Sequence, residues 1–306
     1  MWKSLFVIAF LACANVANAQ LPNEKFGKPS SQEWEFSGWG DGFDADAVIL
    51  CKTMKATYQI SDQVANFNRN SSDVSSDNIS DFGKNQIDEG NILIKYEFRL
   101  RTKILKSEGA KHANIDITYF SPENENVFDE LTDLKVRVFT LNAKGKVERK
   151  NVNTASFVSE RVDDNYTVVH VTVPEVQAGS IIEYQYNITS PRPTFLYDWS
   201  FQDCIPTVRS KFDIDIPAFL QFNMNVPINQ LIKTGVKEGR LAYDTNRPDL
   251  KKGKSFPTNH YTAVGDFIFP ADQAPEVIAP FTGKINMPDV TLPAYMPQGS
   301  THLKIK

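Results

Sequence analysis

Short runs in which apolar residues recur at every second position dominate the chain. Tyr166 to Val173 (YTVVHVTV) is β-branched and aromatic and stops at Pro174. Ser180 to Ile188 (SIIEYQYNI) sets Ile182, Tyr184, Tyr186 and Ile188 on one face, against Ile181, Glu183, Gln185 and Asn187 on the other. That period is the signature of a strand with two unlike faces. The turn-rich stretch Pro174 to Gly179 between these runs predicts a hairpin with a long loop. Further strands are expected at Asp46 to Met54, Ile92 to Leu100, Ala113 to Phe120, Leu134 to Leu141, Lys146 to Asn151, Lys211 to Ile216 and Gln221 to Val226. Asn142-Ala143-Lys144-Gly145 has the composition of a hairpin turn.

Helical periodicity is weak; the best short candidate is Asn126 to Leu134, where Val127, Leu131 and Leu134 share a face. Many short strands separated by turn signals predict an all-β fold, mainly an antiparallel β-sandwich with little helix. Three stretches depart from the pattern. Residues 61–91, rich in Ser, Asn and Asp, read as a long loop. Thr234 to Asn259 carries Lys237, Arg240, Lys251, Lys252 and Lys254 among acidic residues and reads as a solvated loop, or as a basic patch for an acidic partner. Pro270 to Pro297 holds six prolines and should be extended. These features divide the chain into residues 1–19, an N-terminal segment 20–45, a β-sandwich domain 46–230 and a proline-rich part 231–306 that packs on the same domain.

Residues 1–19 have the form of an export signal. Met1-Trp2-Lys3 precedes the apolar run Leu5 to Ala14, and Ala17-Asn18-Ala19 supplies small residues for cleavage between Ala19 and Gln20. The run is too short to span a bilayer. A lipoprotein signal ending at Cys13 fits less well, because Phe10 stands where Leu is usual. The expected location is periplasmic, cell-surface or extracellular.

Composition narrows the chemistry. The 306 residues include 33 Lys and Arg against 37 Asp and Glu, a net charge of −4, which argues against a nucleic-acid-coating protein. The four histidines, His112, His170, His260 and His302, lie at least 42 residues apart, so no metal-ligand spacing exists. Once residues 1–19 are removed the cysteines are Cys51 and Cys204. They could pair in an oxidising compartment or each be a small buried hydrophobe. Neither has the setting of an activated thiol: no helix follows Cys51, and Asp203 beside Cys204 would disfavour a thiolate. Serine-elbow, phosphate-loop and dinucleotide motifs are missing. No catalytic residue, cofactor or metal site is therefore assigned. The candidate binding residues are the aromatics Trp34, Trp39 and Trp199, as a platform for a glycan or peptide; for each the competing expectation is packing in a core.

Val173-Pro174-Glu175-Val176, Gly179-Ser180-Ile181-Ile182-Glu183-Tyr184-Gln185-Tyr186, Ser190-Pro191, Asp198-Trp199-Ser200-Phe201-Gln202, Ile205-Pro206, Ser210 and Ile216-Pro217 together resemble the DUF3857 family. The likeness extends upstream through Phe26-Gly27-Lys28-Pro29, Asp44 to Leu50, Lys103 to Gly109 and Gly145-Lys146-Val147, covering about residues 26 to 226. The resemblance implies an exported bacterial module, most abundant in Bacteroidetes, of β-sandwich type and without catalytic residues of its own. Such modules precede transglutaminase-like domains that carry a Cys-His-Asp triad. Three expectations follow. The chain is a non-enzymatic accessory domain whose partner is a transglutaminase-like domain or a cell-envelope protein, reached for instance by strand addition at a sheet edge. Alternatively it is the N-terminal piece of a transglutaminase-like cysteine peptidase with its core beyond residue 306. Or it is a surface glycan or peptide binder.

Overall fold

The computed structural model describes residues 22, 24–39, 43–60, 92–123, 127–153, 157–193, 195–217, 232–242, 255–268, 270 and 284–285. The stretch read as an export signal, with Cys13, Ala19 and Gln20, the stretch 61–91 read as a loop, the strand expected at Gln221 to Val226 and nearly all of Pro270 to Pro297 lie outside them.

Thirteen strands are present among the described residues. They are β1 (Ala47–Ile60), β2 (Ile92–Ile104), β3 (Ile115–Phe120), β4 (Glu130–Leu141), β5 (Val147–Asn151), β6 (Phe157–Arg161) and β7 (Tyr166–Val171), followed by β8 (Ile181–Ser190), β9 (Trp199–Ser200), β10 (Thr207–Pro217), β11 (Ile232–Ala242), β12 (Ser255–Ile268) and β13 (Lys284–Ile285). Eight of them form one sheet in the order β11-β12-β10-β1-β2-β8-β4-β5. A second sheet runs β3-β7-β6, and β9 pairs with β13. The fold is mainly β, as the alternation predicts.

The pairs are antiparallel except β1 with β10, which run parallel, in keeping with a mainly antiparallel fold. Three local expectations are corrected. The two most regular runs do not form a hairpin: β7 lies at the centre of the small sheet, whereas β8 lies between β2 and β4 in the large one. Proximity in sequence suggested the pairing, but β7 needs two neighbours for its Val-rich inner face. Glu130 to Leu134 is strand and not helix; a register shift between Thr132 and Lys135, with Asp133 at φ 56°, produced the helix-like spacing. Finally, the stretch read as a solvated loop contains most of β11 and the start of β12, which pair antiparallel along eleven positions. Lys237 and Arg240 lie on the edge strand β11, whereas Lys251, Lys252 and Lys254 lie outside the described residues.

The β4–β5 hairpin forms where expected. Gly145 adopts φ 71°, and its N–H donates to the Asn142 carbonyl at 2.8 Å. The Asn142 side chain accepts from the Lys144 and Lys146 N–H groups.

The inner face of the large sheet is the core face. A register shift between Ile49 and Cys51 reverses the parity of β1. Ala47 and Ile49 before it, and Met54, Ala56 and Tyr58 after it, therefore all lie on the side of Ile104, Tyr96 and Ile94 of β2. At one end this face packs against Ile115, Ile117, Val169 and Val171 of the small sheet. At the other it is covered by Trp199 and Phe201 in the segment that leads from β8 to β10. Each such large apolar side chain contributes roughly 1.5–3 kcal/mol on burial.

The opposite face is covered by residues 24–39 and Phe43, an N-terminal strap. The strap contains a short helix, α1 (Ser31–Glu35), closed by a capping box in which the Glu33 N–H donates to Ser30 Oγ and the Ser30 N–H donates to Glu33. Phe36, Trp39 and Phe43 pack on Val48, Leu50, Phe139, Ile181 and Val208. Beneath the strap, Arg101 donates to Glu33 and to Glu183, each at 2.6 Å, with all three side chains buried. Lys103 donates to the carbonyls of Glu33, Trp34 and Phe36.

Candidate functional site

On the inner face an open cleft of about 290 Å³ lies between the middle of the large sheet and the segment around β9. Its floor comes from alternation: Lys52 on β1, Phe98 and Leu100 on β2, and Tyr184 and Tyr186 on β8 project to the same side. Phe98 and Tyr186 stack with ring centres 4.6 Å apart, and the Tyr184 and Tyr186 rings are nearly parallel at 6.2 Å. The facing wall carries Asp198, Trp199, Ser200 and Asp203.

A single charged pair closes the floor against the wall. Lys52 Nζ donates to Asp203 at 3.0 Å and stands 5.1 Å from the centre of the Trp199 ring. Lys52 is 9% exposed, so its stem fills the floor while the ammonium meets the carboxylate and the indole face. Burial acts to raise the Asp203 carboxyl, but the Lys52 ammonium and a hydrogen bond from the Cys204 N–H hold it below the ordinary Asp range. Burial raises the Tyr184 phenol, with the Asp203 charge adding to it, and burial together with Tyr184 and Tyr197 raises Tyr186. Both stay protonated and can act as hydroxyl donors and acceptors.

The sequence-derived candidates are not brought together. Trp199 is 6% exposed and belongs to the core, presenting part of its ring as the cleft wall. Trp34 and Trp39 are part-buried on the opposite face; Trp39 lies 4.8 Å from Phe43 and 5.6 Å from Phe267, ring to ring. An exposed platform of the three tryptophans is therefore not what the fold builds: two secure the strap and one lines the cleft. No disulfide joins Cys51 to Cys204; the first is buried and the second exposed. Burial pushes the Cys51 thiol up to about 12, assisted by Glu24 and only partly opposed by Arg101.

Of the four histidines, His302 lies outside the described residues, and His112 is within electrostatic reach of Asp203, the residue before Cys204. His170, on the outer face of the small sheet, meets Asp116 at 2.7 Å and Glu160 at 3.4 Å, and the hydrogen bond to Asp116 raises its pKa. His260 meets Asp215 at 2.8 Å. Burial lowers the pKa of His112. Among the described residues no group of three or more His, Cys, Asp or Glu is placed to hold a metal ion.

Lys52, Phe98, Asp203 and the role of the paired tyrosines were not identified from sequence. The available signal was Lys52 itself, a lone cation following the apolar run Ala47 to Cys51, together with two tyrosines on one face of a strand. Spacing alone could not show that the Asp198 to Asp203 segment folds over them.

A crystal structure from Parabacteroides distasonis ATCC 8503, described as a "putative protease", is 11% identical to this chain with a TM-score of 0.47. The likeness covers 78% of this chain and 39% of that one, so the chain spans about two fifths of the length of that protein. No curated protein sequence matches. The model of DUF3857, a domain of unknown function with a solved structure, matches residues 93–252. That interval is just over half of the chain and runs from β2 past β11, through both sheets and the cleft, and the chain belongs to the DUF3857 family.

Proposed function

We propose that this chain is an exported, non-catalytic β-sandwich module that supports or presents a partner, with a transglutaminase-like domain as the partner class. The observation that carries the reading is the state of its nucleophile inventory. The Cys51 thiol is buried and pushed up to about 12, far from the thiolate that acyl transfer needs. His170 and His260 are each engaged by carboxylates on other strands. In the cleft the charged groups neutralise one another as the Lys52–Asp203 pair. The export part of the reading rests on the Leu5 to Ala14 run and Ala19-Gln20.

The test is an assay of the purified chain for peptide hydrolysis and for Gln–Lys cross-linking, alongside Cys51→Ala and Cys204→Ser. The expected result is background rates for all of them, with iodoacetamide labelling Cys204 and sparing Cys51 in the folded protein. An activity that disappears on substitution of either cysteine overturns the reading. N-terminal sequencing of the exported protein should begin at Gln20.

A further inference from the structure

The cleft holds more hydrogen-bonding capacity than the protein uses. Neither the Tyr184 nor the Tyr186 hydroxyl has a partner among the described residues, and the Trp199 indole N–H is buried without an acceptor. The hydrogen bond made by the Lys52 ammonium goes to Asp203, leaving two of its three donors. Phe98, Tyr186 and Tyr184 stack on one another, so the column turns its ring edges and the two tyrosine hydroxyls, not open ring faces, toward the cleft.

We propose that the cleft is a binding site for a neutral saccharide, held by the Tyr184 and Tyr186 hydroxyls and by the Lys52–Asp203 pair bridging adjacent sugar hydroxyls. A lysine beside a carboxylate offers a donor and an acceptor at the separation of neighbouring sugar oxygens, a pattern that a polyol matches from both sides.

Charge and topology select among ligands. Two cations, Lys52 and Arg99, stand against two carboxylates, Asp198 and Asp203, so the lining carries no net charge to draw in an ionic ligand, nucleic acid included. An extended peptide gains most of its affinity from main-chain hydrogen bonds at a sheet edge. The floor offers no such edge: β1 is flanked by β10 and β2, β2 by β1 and β8, and β8 by β2 and β4, and the wall has only the two-residue β9, paired on one side with β13. A saccharide requires no edge. The site goes beyond a support role, because a module can present a partner without it.

Saturation-transfer NMR of the full mature chain with cellobiose, maltose and N,N′-diacetylchitobiose at millimolar concentration tests the site. The expected result is transfer to at least one of them. The Tyr184→Phe/Tyr186→Phe variant, which deletes only two oxygens, should weaken binding about tenfold. Trp34→Phe, on the opposite face, should leave it unchanged. No transfer to any of the sugars, or binding indifferent to the tyrosine oxygens, overturns the proposal. So does binding of a tryptic digest of serum albumin in the cleft in place of the sugars. A sugar that is bound and recovered intact supports both readings; one that is bound and cleaved supports this site and overturns the non-catalytic reading.

Discussion

The two faces of the eight-stranded sheet solve the same problem by opposite means. The inner face buries Ile, Val and aromatic side chains against a second sheet, and its energy is the non-directional one of apolar burial. The outer face carries Arg101, Lys103 and Glu183, which are as deeply buried as any isoleucine, beneath a strap that has no strand pairing with the sheet. Its contacts are directional: two ion pairs to Arg101 and three backbone carbonyls on Lys103. Apolar contacts tolerate small shifts, so they suit sheet-on-sheet packing. Charged hydrogen bonds do not, so they fix where an irregular strap must lie. Desolvating such charges costs several kcal/mol per ion, and the outer face is therefore specified more sharply than it is stabilised.

That contrast breaks first at Arg101. Arg101→Met leaves the Glu33 and Glu183 carboxylates buried without their cation and should cost about 3–5 kcal/mol in urea unfolding. Adding both Glu33→Gln and Glu183→Leu should restore a large part of the loss, because removing every charge of a buried ion network is less costly than breaking it. If the triple variant is as unstable as the single one, the outer face gains stability from charge and the contrast fails. On the inner face, Ile182→Ala should cost about 3 kcal/mol through lost burial and a cavity. The two losses should also differ in kind: greater strap susceptibility to proteolysis for Arg101→Met, and none for Ile182→Ala. Ser30→Ala removes the side-chain acceptor of the capping box and should cost about 1 kcal/mol, again with the strap alone loosened.

The sequence was legible where one periodicity governed one element. The alternation of β8 correctly assigned Tyr184 and Tyr186 to the core side, and Asn142 to Gly145 formed its turn. It was illegible where a face had a second cover. Glu183 occupies the polar side of β8 and is 0% exposed, because the strap lies over it some 150 residues upstream in sequence. Parity was also lost at β1, where the shift between Ile49 and Cys51 moves the inward set from odd to even positions. Trp39 and Trp199 look alike in sequence but end on opposite faces, and nothing local to either residue decides that. The cleft was half legible: its aromatic floor is written in one strand, whereas the Lys52–Asp203 contact depends on where the chain returns after β8.

The smallest expected effect separates the faces by the sign of their pH dependence. Burial raises the Glu183 carboxyl despite the opposing charge of Arg101, so the folded state holds that proton more tightly than the unfolded chain. Its contribution to stability is complete below the ordinary carboxylate range and is lost as pH rises through the folded value. Asp203 is the reverse. Burial would raise it, but Lys52 holds it down, so its contribution is present above the ordinary Asp value and is lost as pH falls through the folded one. Glu183→Gln should therefore remove a term that weakens with rising pH, and Asp203→Asn one that weakens with falling pH. Urea midpoints measured across the acidic range for wild type and both variants give two difference curves. Those curves should slope in opposite directions, and only the Asp203 curve should flatten in high salt, because its side chain is 34% exposed whereas Glu183 is sealed. Two curves of the same sign would mean that the ion pair under the strap and the one in the cleft are held by the same balance of burial and charge, and the distinction between the faces would reduce to what covers them.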